Sequence, residues 1–347
     1  MSEEKINLIG LSLAEISILL EKSVDRPFRA RQIGAWIHQR DAQSFEEMSN
    51  LPLALRRSLG ESFSLEEPEV IERADSPDGS TKYLFRLSDG ATIEGVSMPS
   101  GTKATFCLSS QTGCAVGCRF CVTGALGAGR NLSSAEMLGQ YRIMRRELPR
   151  EIERVNIVFM GMGEPLLNRD HLGPALEALY ESVSPKRITV STAGIIPGIL
   201  WLAELPKRPM LAISLNAPTQ ALRRELMPIS RKYPLEELME TLRNFPLQGG
   251  RRITFEYVLI RDLNDEFRHA RELRRLLHGI PAKLNIIPLN EDQVHFPDLH
   301  RPSDETVEAF AERLRHAGLV VTIRWSRGRD VAAACGQLKG RCGVGTI

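Results

Sequence analysis

The chain has 347 residues, 42% hydrophobic and 25% charged, with 45 Lys and Arg against 43 Asp and Glu for a net charge of +2. This composition excludes a disordered, collagenous or disulfide-scaffold protein, and the length suits a large catalytic domain with a smaller companion, since single cores rarely grow past about 250–300 residues. No apolar run approaches the roughly 18 residues of a membrane span; the most apolar stretch, from Ile188 to Leu205, is broken by Pro197 and Glu204. In chain order, the polar and acidic start Met1-Ser2-Glu3-Glu4-Lys5 does not read as a secretory signal, so a cytoplasmic protein is expected. Residues 1–60 read as a small helical domain. An amphipathic helix opens at 11–16 with Ser12 as its cap and Glu15 three positions on, and 29–39 follows Pro27 with Ile33, Trp36 and Ile37 on one face. Shorter helices are expected at 45–48 and 53–59. The stretch 61–75 is acidic, holds one Arg and has no clear period, which marks it as a linker. A hairpin follows, 83–87 and 92–98 about an Asp89-Gly90 turn, so that 61–103 form a linker and β-hairpin region.

From 104 to 347 the pattern changes to alternating strands and helices. Strands are expected at 104–109, 155–160, 187–191, 210–215, 253–259 and 283–288. Helices are expected at 133–147, 170–182, 195–204, 220–226 with 235–243, and 266–278. After a helix at 303–316, one more strand at 319–325 leads into a helix from Asp330 to about Leu338. Six β/α repeats predict an α/β fold, a parallel sheet covered by helices. Basic residues gather twice: Arg26, Arg29, Arg31 and Arg40 beside Phe28 and Trp36, and Arg324, Arg327, Arg329, Lys339 and Arg341 near the end. A solvated face accounts for most such clusters, although two of them flanked by aromatics also suit a polyanion such as RNA.

The six cysteines are the informative count, because clustered thiols without a secretion signal point to metal or catalysis. Cys114, Cys118 and Cys121 are spaced C-x3-C-x2-C in the loop after the first of the alternating strands. Zinc takes four ligands, and neither a fourth Cys nor a His lies within 15 residues on the C-terminal side. Three thiols suit a [4Fe–4S] cluster with one iron left open, with a structural zinc as the alternative. Gly161-Met162-Gly163-Glu164-Pro165 follows the second strand, Ser191 ends the third, Ser214-Leu215-Asn216 end the fourth, and Asn290 follows the sixth. Each alone reads as a turn or cap, but together they occupy one rim, the C-terminal ends of the strands, where barrel active sites form.

C-x3-C-x-aromatic-C resembles the signature of the radical S-adenosylmethionine (SAM) superfamily, and residues 161–165 look like its Gly-Gly-Glu-Pro motif. The resemblance implies a radical SAM partial (β/α)6 barrel carrying the small helical N-terminal domain and the β-hairpin linker region. It implies that Cys114, Cys118 and Cys121 hold a cluster whose open iron chelates SAM and reduces it to a 5′-deoxyadenosyl radical. Gly163, Glu164, Ser191, Ser214, Leu215, Asn216 and Asn290 are then the SAM-binding residues. Two further cysteines narrow the match: Cys107, seven residues before Cys114, and Cys335, which alone would read as a small buried hydrophobe in an Ala-rich helix. With Pro27-Phe28-Arg29-Ala30-Arg31-Gln32-Ile33, Leu226-Met227-Pro228-Ile229, Tyr233-Pro234-Leu235 and Arg327-Gly328, the chain is similar over nearly its whole length to the RlmN/Cfr family of RNA adenine methyltransferases.

That family resemblance implies methylation of adenine C2 in 23S rRNA and tRNA with two SAM molecules per turnover. Cys335 takes a methyl from the first, the radical from the second activates that methyl for addition to C2, and Cys107 then attacks the sulfur of Cys335, leaving a transient disulfide. Glu94 is the matching base; strand alternation puts it on the side of Val96 and Met98, pointing inward, although alone it would read as a surface carboxylate. The helical domain becomes an RNA-binding domain, with Arg29, Arg31, Arg56, Arg57 and the basic C-terminal segment as phosphate contacts. An electron donor such as flavodoxin or ferredoxin is implied, and a monomer is expected because the barrel mouth must admit RNA. Two departures stand out: Ser191-Thr192-Ala193-Gly194 where many relatives have Ser-Thr-Ser-Gly, and Ser214-Leu215-Asn216 where many have Ser-Leu-His. Cys342 matches no motif and is expected to be structural, and no His falls on a motif. The alternatives are Cfr-type C8 methylation of 23S rRNA adenine, a non-catalytic RNA-binding protein with structural zinc, and another radical SAM reaction, such as glycyl-radical activation, that needs neither Cys107 nor Cys335.

Overall fold

The computed structural model describes residues 5–24 and 26–340, so Cys342 and Arg341 lie outside the described residues. The N-terminal part is helical as expected, with α1 (Leu13–Leu19), α2 (Pro27–His38) and α3 (Leu53–Ser62). Ser12 and Glu15 cap α1 reciprocally: the Glu15 N–H donates to Ser12 Oγ at 3.3 Å, and the Ser12 N–H donates to the Glu15 carboxylate at 2.8 Å. Two strands of two residues were not legible in the sequence. β1 (Ile6–Asn7) pairs in parallel with β2 (Phe63–Ser64) and ties the two ends of this unit together.

The acidic stretch expected as a linker contains a strand. β3 (Glu69–Asp75) pairs antiparallel with β4 (Thr81–Arg86), which pairs antiparallel with β5 (Thr92–Ser100). Its acids meet arginines instead of water alone: Arg86 pairs with Glu69 at 2.6 Å and Arg73 with Asp75 at 3.1 Å. As a sheet edge, β3 needs little apolar alternation, which is why it read as a polar run.

β6 (Lys103–Cys107) is antiparallel to β5 and parallel to β7 (Arg154–Phe159). The sheet continues in parallel through β8 (Ile188–Thr192), β9 (Met210–Ser214), β10 (Ile253–Leu259), β11 (Ala282–Pro288) and β12 (Val321–Ile323). All 10 strands stand in chain order from β3 to β12, and the two ends do not pair, so the barrel is partial and open on one side. One short turn of helix, α4 (Val122–Ala125), follows the cysteine loop. The crossovers are α5 (Ser134–Arg146), α6 (Arg169–Leu179), α7 (Ile196–Glu204), α8 (Gln220–Leu226) with α9 (Leu235–Arg243), α10 (Phe267–Leu276) and α11 (Asp304–His316). Helices on the outside and side chains within bury these strands on both faces, which is why they read as near-continuous apolar runs; Ile157, Val190, Ile213, Phe255 and Ile286 are fully buried.

The helix expected from 330 to about 338 is absent. Residues 326–340 form a strap of turns and extended backbone, with Ala332 at φ 50°, Gly336 at φ 84° and Gly340 at φ 58°. The Ala-Ala-Ala run favours a helix, but the carbonyls of this segment are taken by distant donors: Val122 N–H donates to Gly336 O at 2.8 Å and Thr123 Oγ1 to Leu338 O at 2.5 Å. Tertiary hydrogen bonds here override local propensity.

The helical unit docks on α5. Arg142, 5% exposed, donates to Ile37 O at 2.6 Å, Ala42 O at 2.7 Å and Glu67 Oε1 at 2.5 Å, while Arg146 pairs with Asp41 and Glu67. Burial opposes the charge of Glu67, yet hydrogen bonds from Arg146 and Arg142 outweigh it and hold its pKa below the usual range. His38 sits at the same joint, its Nε2 against Leu11 O at 2.7 Å, and burial lowers its pKa from 6.5 to about 4. An unfolded chain therefore binds this proton at a higher pH than the folded one. The contribution is complete above pH 6.5 and lost as the pH falls towards 4, amounting to up to about 3 kcal/mol. Urea unfolding of wild type and His38→Gln between pH 7.5 and 4 checks this: the difference in stability between them should shift in favour of the variant as the pH falls, and a constant difference would contradict it.

Candidate active site

β6 ends at Cys107, and the chain then crosses the top of the sheet into the cysteine loop. Buried side chains fix this crossing. Gln140 of α5 accepts the Ser109 N–H at 2.9 Å and donates to Ser109 O at 3.1 Å. Ser109 Oγ donates to Glu94 O at 2.6 Å and accepts the Met162 N–H at 2.8 Å, while Gln111 Oε1 accepts the Glu164 N–H at 2.8 Å. The loop after β6 is thus locked to the loop after β7, which carries Gly163 and Glu164.

Cys114, Cys118 and Cys121 line a cavity together with Glu164, Ser191, Ser214, Asn216, Glu256 and Asn290. Those residues come from successive strands, so the sheet curls enough to bring them around one space. Burial pushes the Cys114 thiol up to about 12 and raises Cys118 and Cys121 as well, with the neighbouring thiols adding to the effect at Cys118. Among the described residues no three Cys, His, Asp or Glu side chains close on one point as they would around a single ion; the thiols stand around a larger space.

Gly163 adopts φ 97°, and a Cβ there would lie 2.5 Å from Gln111 Cβ, so the position demands glycine. Glu164 is buried and accepts backbone N–H groups from Ala193 at 2.7 Å and Leu166 at 3.0 Å; burial nevertheless pushes it up to about 7. Asn216 stands at φ 57°, which Asn tolerates better than most residues, and its amide is engaged by the Val258 N–H at 2.9 Å and Met227 Sδ at 3.3 Å. Leu215 turns into the hydrophobic core and is not among the lining residues. Asn290 donates to Cys335 O at 3.0 Å; among the described residues its own Oδ1 is buried without a partner, and Glu256 Oε2 likewise. Two orphaned acceptors facing one cavity suit a ligand rich in donors, such as an ammonium group and ribose hydroxyls.

Cys335 lines this cavity and also a second one, on whose wall Cys107 lies with Met160 and Arg324. Both thiols are free. Burial pushes Cys107 up to about 12, Cys335 adds to that, and Arg324 opposes it. Glu94 is buried as expected, but it lines neither cavity: it pairs with Lys82 at 3.3 Å and accepts the Lys339 N–H at 2.8 Å.

The Radical SAM superfamily model matches residues 108–273, and the model of the Ribosomal RNA large subunit methyltransferase N-terminal domain matches residues 6–65. The dual-specificity RNA methyltransferase RlmN of Geobacter sulfurreducens is 46% identical over 97% of this chain and 92% of its own length. That of Marinobacter nauticus is 41% identical over 97% and 94%. The chain belongs to the RlmN family of radical SAM methyltransferases. The crystal structure of a radical SAM methyltransferase from Sphaerobacter thermophilus agrees, with a TM-score of 0.90 at 41% identity over 97% of this chain and all of that one.

Its cofactors are a [4Fe–4S] cluster and SAM, and the residues present fit them. Three thiols lining one cavity would hold the cluster as thiolates, which relieves the burial penalty on each, and the orphaned acceptors of Glu256 and Asn290 remain for SAM. RlmN membership sets the structural-zinc alternative aside.

Several residues at the site escaped the sequence reading. Arg223, fully buried, donates to Ala193 O at 2.7 Å and Ser214 O at 3.3 Å, and joins the ends of β8 and β9; burial lowers it to about 10. No local pattern signals it. Glu256 had a signal, the one charged side chain inside the mostly apolar strand β10. Of the basic C-terminal residues proposed for phosphate, Arg324 faces the second cavity and Arg327 donates to Pro99 O at 2.7 Å and to Asp78 O, so both are committed inside the protein. In the N-terminal set, Arg31 and Arg57 are exposed, while Arg56 is held by Glu46 O at 2.8 Å. Cys118→Ala, purified anaerobically, should lose its iron, from about four per chain to below one, with an unchanged far-UV spectrum; retention of full iron would remove Cys118 from the ligand set.

Proposed function

We propose that this enzyme methylates C2 of an adenine in 23S rRNA and in tRNA by way of S-methyl-Cys335. The observation that carries the reading is the position of Cys335 on the wall shared by two cavities, with the cluster thiols lining one and Cys107 the other. C2 is an electron-poor amidine carbon and does not attack the SAM methyl as a nucleophile, so the methyl must pass through the protein. The Cys335 thiolate displaces it from a first SAM, releasing S-adenosylhomocysteine. When bound, the cluster supplies the electron that splits a second SAM into methionine and a 5′-deoxyadenosyl radical. S-methyl-Cys335 gives a hydrogen atom to that radical, and its methylene carbon bonds to C2. Glu94 takes the C2 proton, the bond from carbon to the sulfur of Cys335 breaks, and Cys107 joins that sulfur as a disulfide. The electrons balance: oxidising two thiols to one disulfide releases two, the number consumed when the second SAM becomes methionine and 5′-deoxyadenosine. The electron lent to SAM would therefore return to the cluster as the disulfide forms, and a proton completes the methyl on C2. A thiol reductant then reopens the disulfide.

The helical domain of residues 1–60 binds the RNA, with exposed Arg31 and Arg57 toward phosphates, and the adenine leaves its stack to reach the barrel, at a cost of a few kcal/mol. A small carrier such as flavodoxin or ferredoxin delivers the electron, and the enzyme works as a cytoplasmic monomer; among the described residues no helix is long and apolar enough to cross a membrane. C2 is favoured over C8 because the relatives are RlmN proteins over nearly the whole chain, N-terminal domain included.

Intact-mass analysis of anaerobically expressed Cys107→Ala tests the central step. A nuclease-trimmed RNA fragment on Cys335 is the expected result, and Cys335→Ala should carry none. Absence of both methyl and adduct on Cys335, with the cluster intact, would overturn the reading; 8-methyladenosine as the main product would overturn the choice of C2. For about four phosphate contacts, RNA affinity should fall about a hundredfold between 50 and 200 mM salt, measured by filter binding; a flat response would remove the electrostatic docking.

A further inference from the structure

Lys82 is the second residue of β4, with only 14% of its side chain exposed, and belongs to no motif. The register of the sheet pairs Leu84 with Glu94 and Lys82 with Val96, so Lys82 and Glu94 are diagonal neighbours on one face. Lys82 Nζ stands 3.3 Å from Glu94 Oε1, and the other carboxylate oxygen, Oε2, accepts the Lys339 N–H at 2.8 Å. The same Lys82 ammonium reaches Ala332 O at 3.5 Å, the outer limit of a hydrogen bond. Ala332 and Lys339 are residues of the strap on either side of Cys335. One buried ion pair therefore touches the strap before and after the methyl-carrying thiol, and it contains the base.

We infer that Lys82 is a positioning residue for methyl transfer: it holds the Glu94 carboxylate against the strap that carries Cys335 and so fixes the distance between the two. The inference rests on the roles given to Glu94 and Cys335 above. A lysine holds this place because the carboxylate has exchanged water for a pocket. Among the described residues, removing Lys82 takes the cation from this carboxylate and leaves a buried charge held by the Lys339 N–H, free to turn away. Proton loss from C2 precedes scission of the bond to sulfur, so a misdirected base stalls the enzyme with RNA still attached. Neither methylation of Cys335 nor splitting of SAM involves Glu94, and both should survive.

The test uses anaerobically reconstituted holoenzyme with unmodified tRNA, in wild type, Lys82→Met, Lys82→Arg, Glu94→Gln and the double variant Lys82→Met/Glu94→Gln. Lys82→Met should methylate adenine at least tenfold more slowly, carry its methyl on Cys335, and accumulate at least fivefold more protein–RNA adduct than wild type although Cys107 is present. Lys82→Arg should restore methylation to within about threefold, which a role in packing alone would not. In the Glu94→Gln background, Lys82→Met should add nothing. This comparison also serves if Lys82→Met alone fails to fold, since the double variant leaves no unpaired buried charge. Hydrogen exchange of the apoprotein gives a reading independent of turnover: amides of residues 332–339 should exchange faster in Lys82→Met and at wild-type rates in Lys82→Arg. Lys82→Met turning over within twofold of wild type while Glu94→Gln is crippled would overturn this inference alone, as would a further tenfold loss on adding Lys82→Met to Glu94→Gln. Glu94→Gln at wild-type speed would overturn the base and this inference together.

Discussion

The active site depends on a strap with no regular structure held across the open side of a sheet. The ten strands do not close into a ring, and residues 326–340 run back from β12 toward the antiparallel strands β3 to β5. Arg327 donates to Pro99 O at 2.7 Å, the Gly328 N–H to Asp78 Oδ2 at 2.8 Å, and Ser76 Oγ to Asp330 at 2.6 Å. Asp78 keeps its charge down to about pH 2, because hydrogen bonds from Ser80 and Gly328, with Arg327 nearby, outweigh the cost of burial. Further along, Cys335 O accepts from Asn290 and Gly336 O from the Val122 N–H, at the start of the helical turn that follows the last cluster cysteine. Each bond is worth only about 1 kcal/mol net. Their value lies in direction: Cys335 is fixed on one side by a residue of the SAM cavity and on the other by the cysteine loop, so its position follows that of both.

The repeating half of the molecule was legible for a physical reason. Parallel strands covered on both faces are rich in apolar and β-branched residues, and β7 to β11 carry that signature between amphipathic helices. The elements that were missed carry none. β1 and β2 are two residues each, too short for a period, and β3 lies at an edge where half its side chains meet water. The strap was misread because Ala332, Ala333 and Ala334 favour a helix, while what straightens them, a lysine 250 positions away and an asparagine 45 away, is invisible to local pattern. The site divides in the same way. Cys114, Cys118, Cys121, Gly163 and Glu164 sit at fixed spacings that one loop geometry requires. Lys82, Arg223 and Arg324 act through contacts between distant strands, and a lone basic residue in a strand or helix does not declare whether it faces water or a buried carbonyl.

Burial sets two opposing demands on the cysteines. On the proposed route a carbon radical on Cys335 has to be kept from solvent, and cavity walls that do so also favour neutral thiols, which attack poorly. For the cluster cysteines the conflict disappears once iron takes the place of the protons. For Cys107 it does not, and burial keeps this thiol high. Arg324 is the counterweight, a guanidinium within the second cavity that faces Cys107, Cys335 and Glu256 and whose own pKa is raised, chiefly by Cys335. On the proposed route a Cys107 thiol silent until the adduct forms is useful, since an early disulfide with Cys335 would consume the thiol proposed to carry the methyl.

α5 connects these chemical demands to RNA binding. Its last turns carry Arg142 and Arg146, which fasten the helical domain through Ile37 O, Ala42 O, Asp41 and Glu67. Two residues before Arg142, Gln140 holds Ser109, and Ser109 holds both Glu94 O and the Met162 N–H beside Gly163. At the other end of the helix the approach is equally tight: a Cβ on Gly10 would fall 2.4 Å from Ala135 N. The helical domain is therefore not tethered by a flexible linker; it is clamped to the helix that also braces Glu94 and the loop of Gly163 and Glu164. On the proposed route a flipped adenine has to bring C2 to about 3–3.5 Å from a methylene carbon, with an error of less than about an ångström, and a rigid joint at α5 lets contacts made far away on phosphate specify that distance.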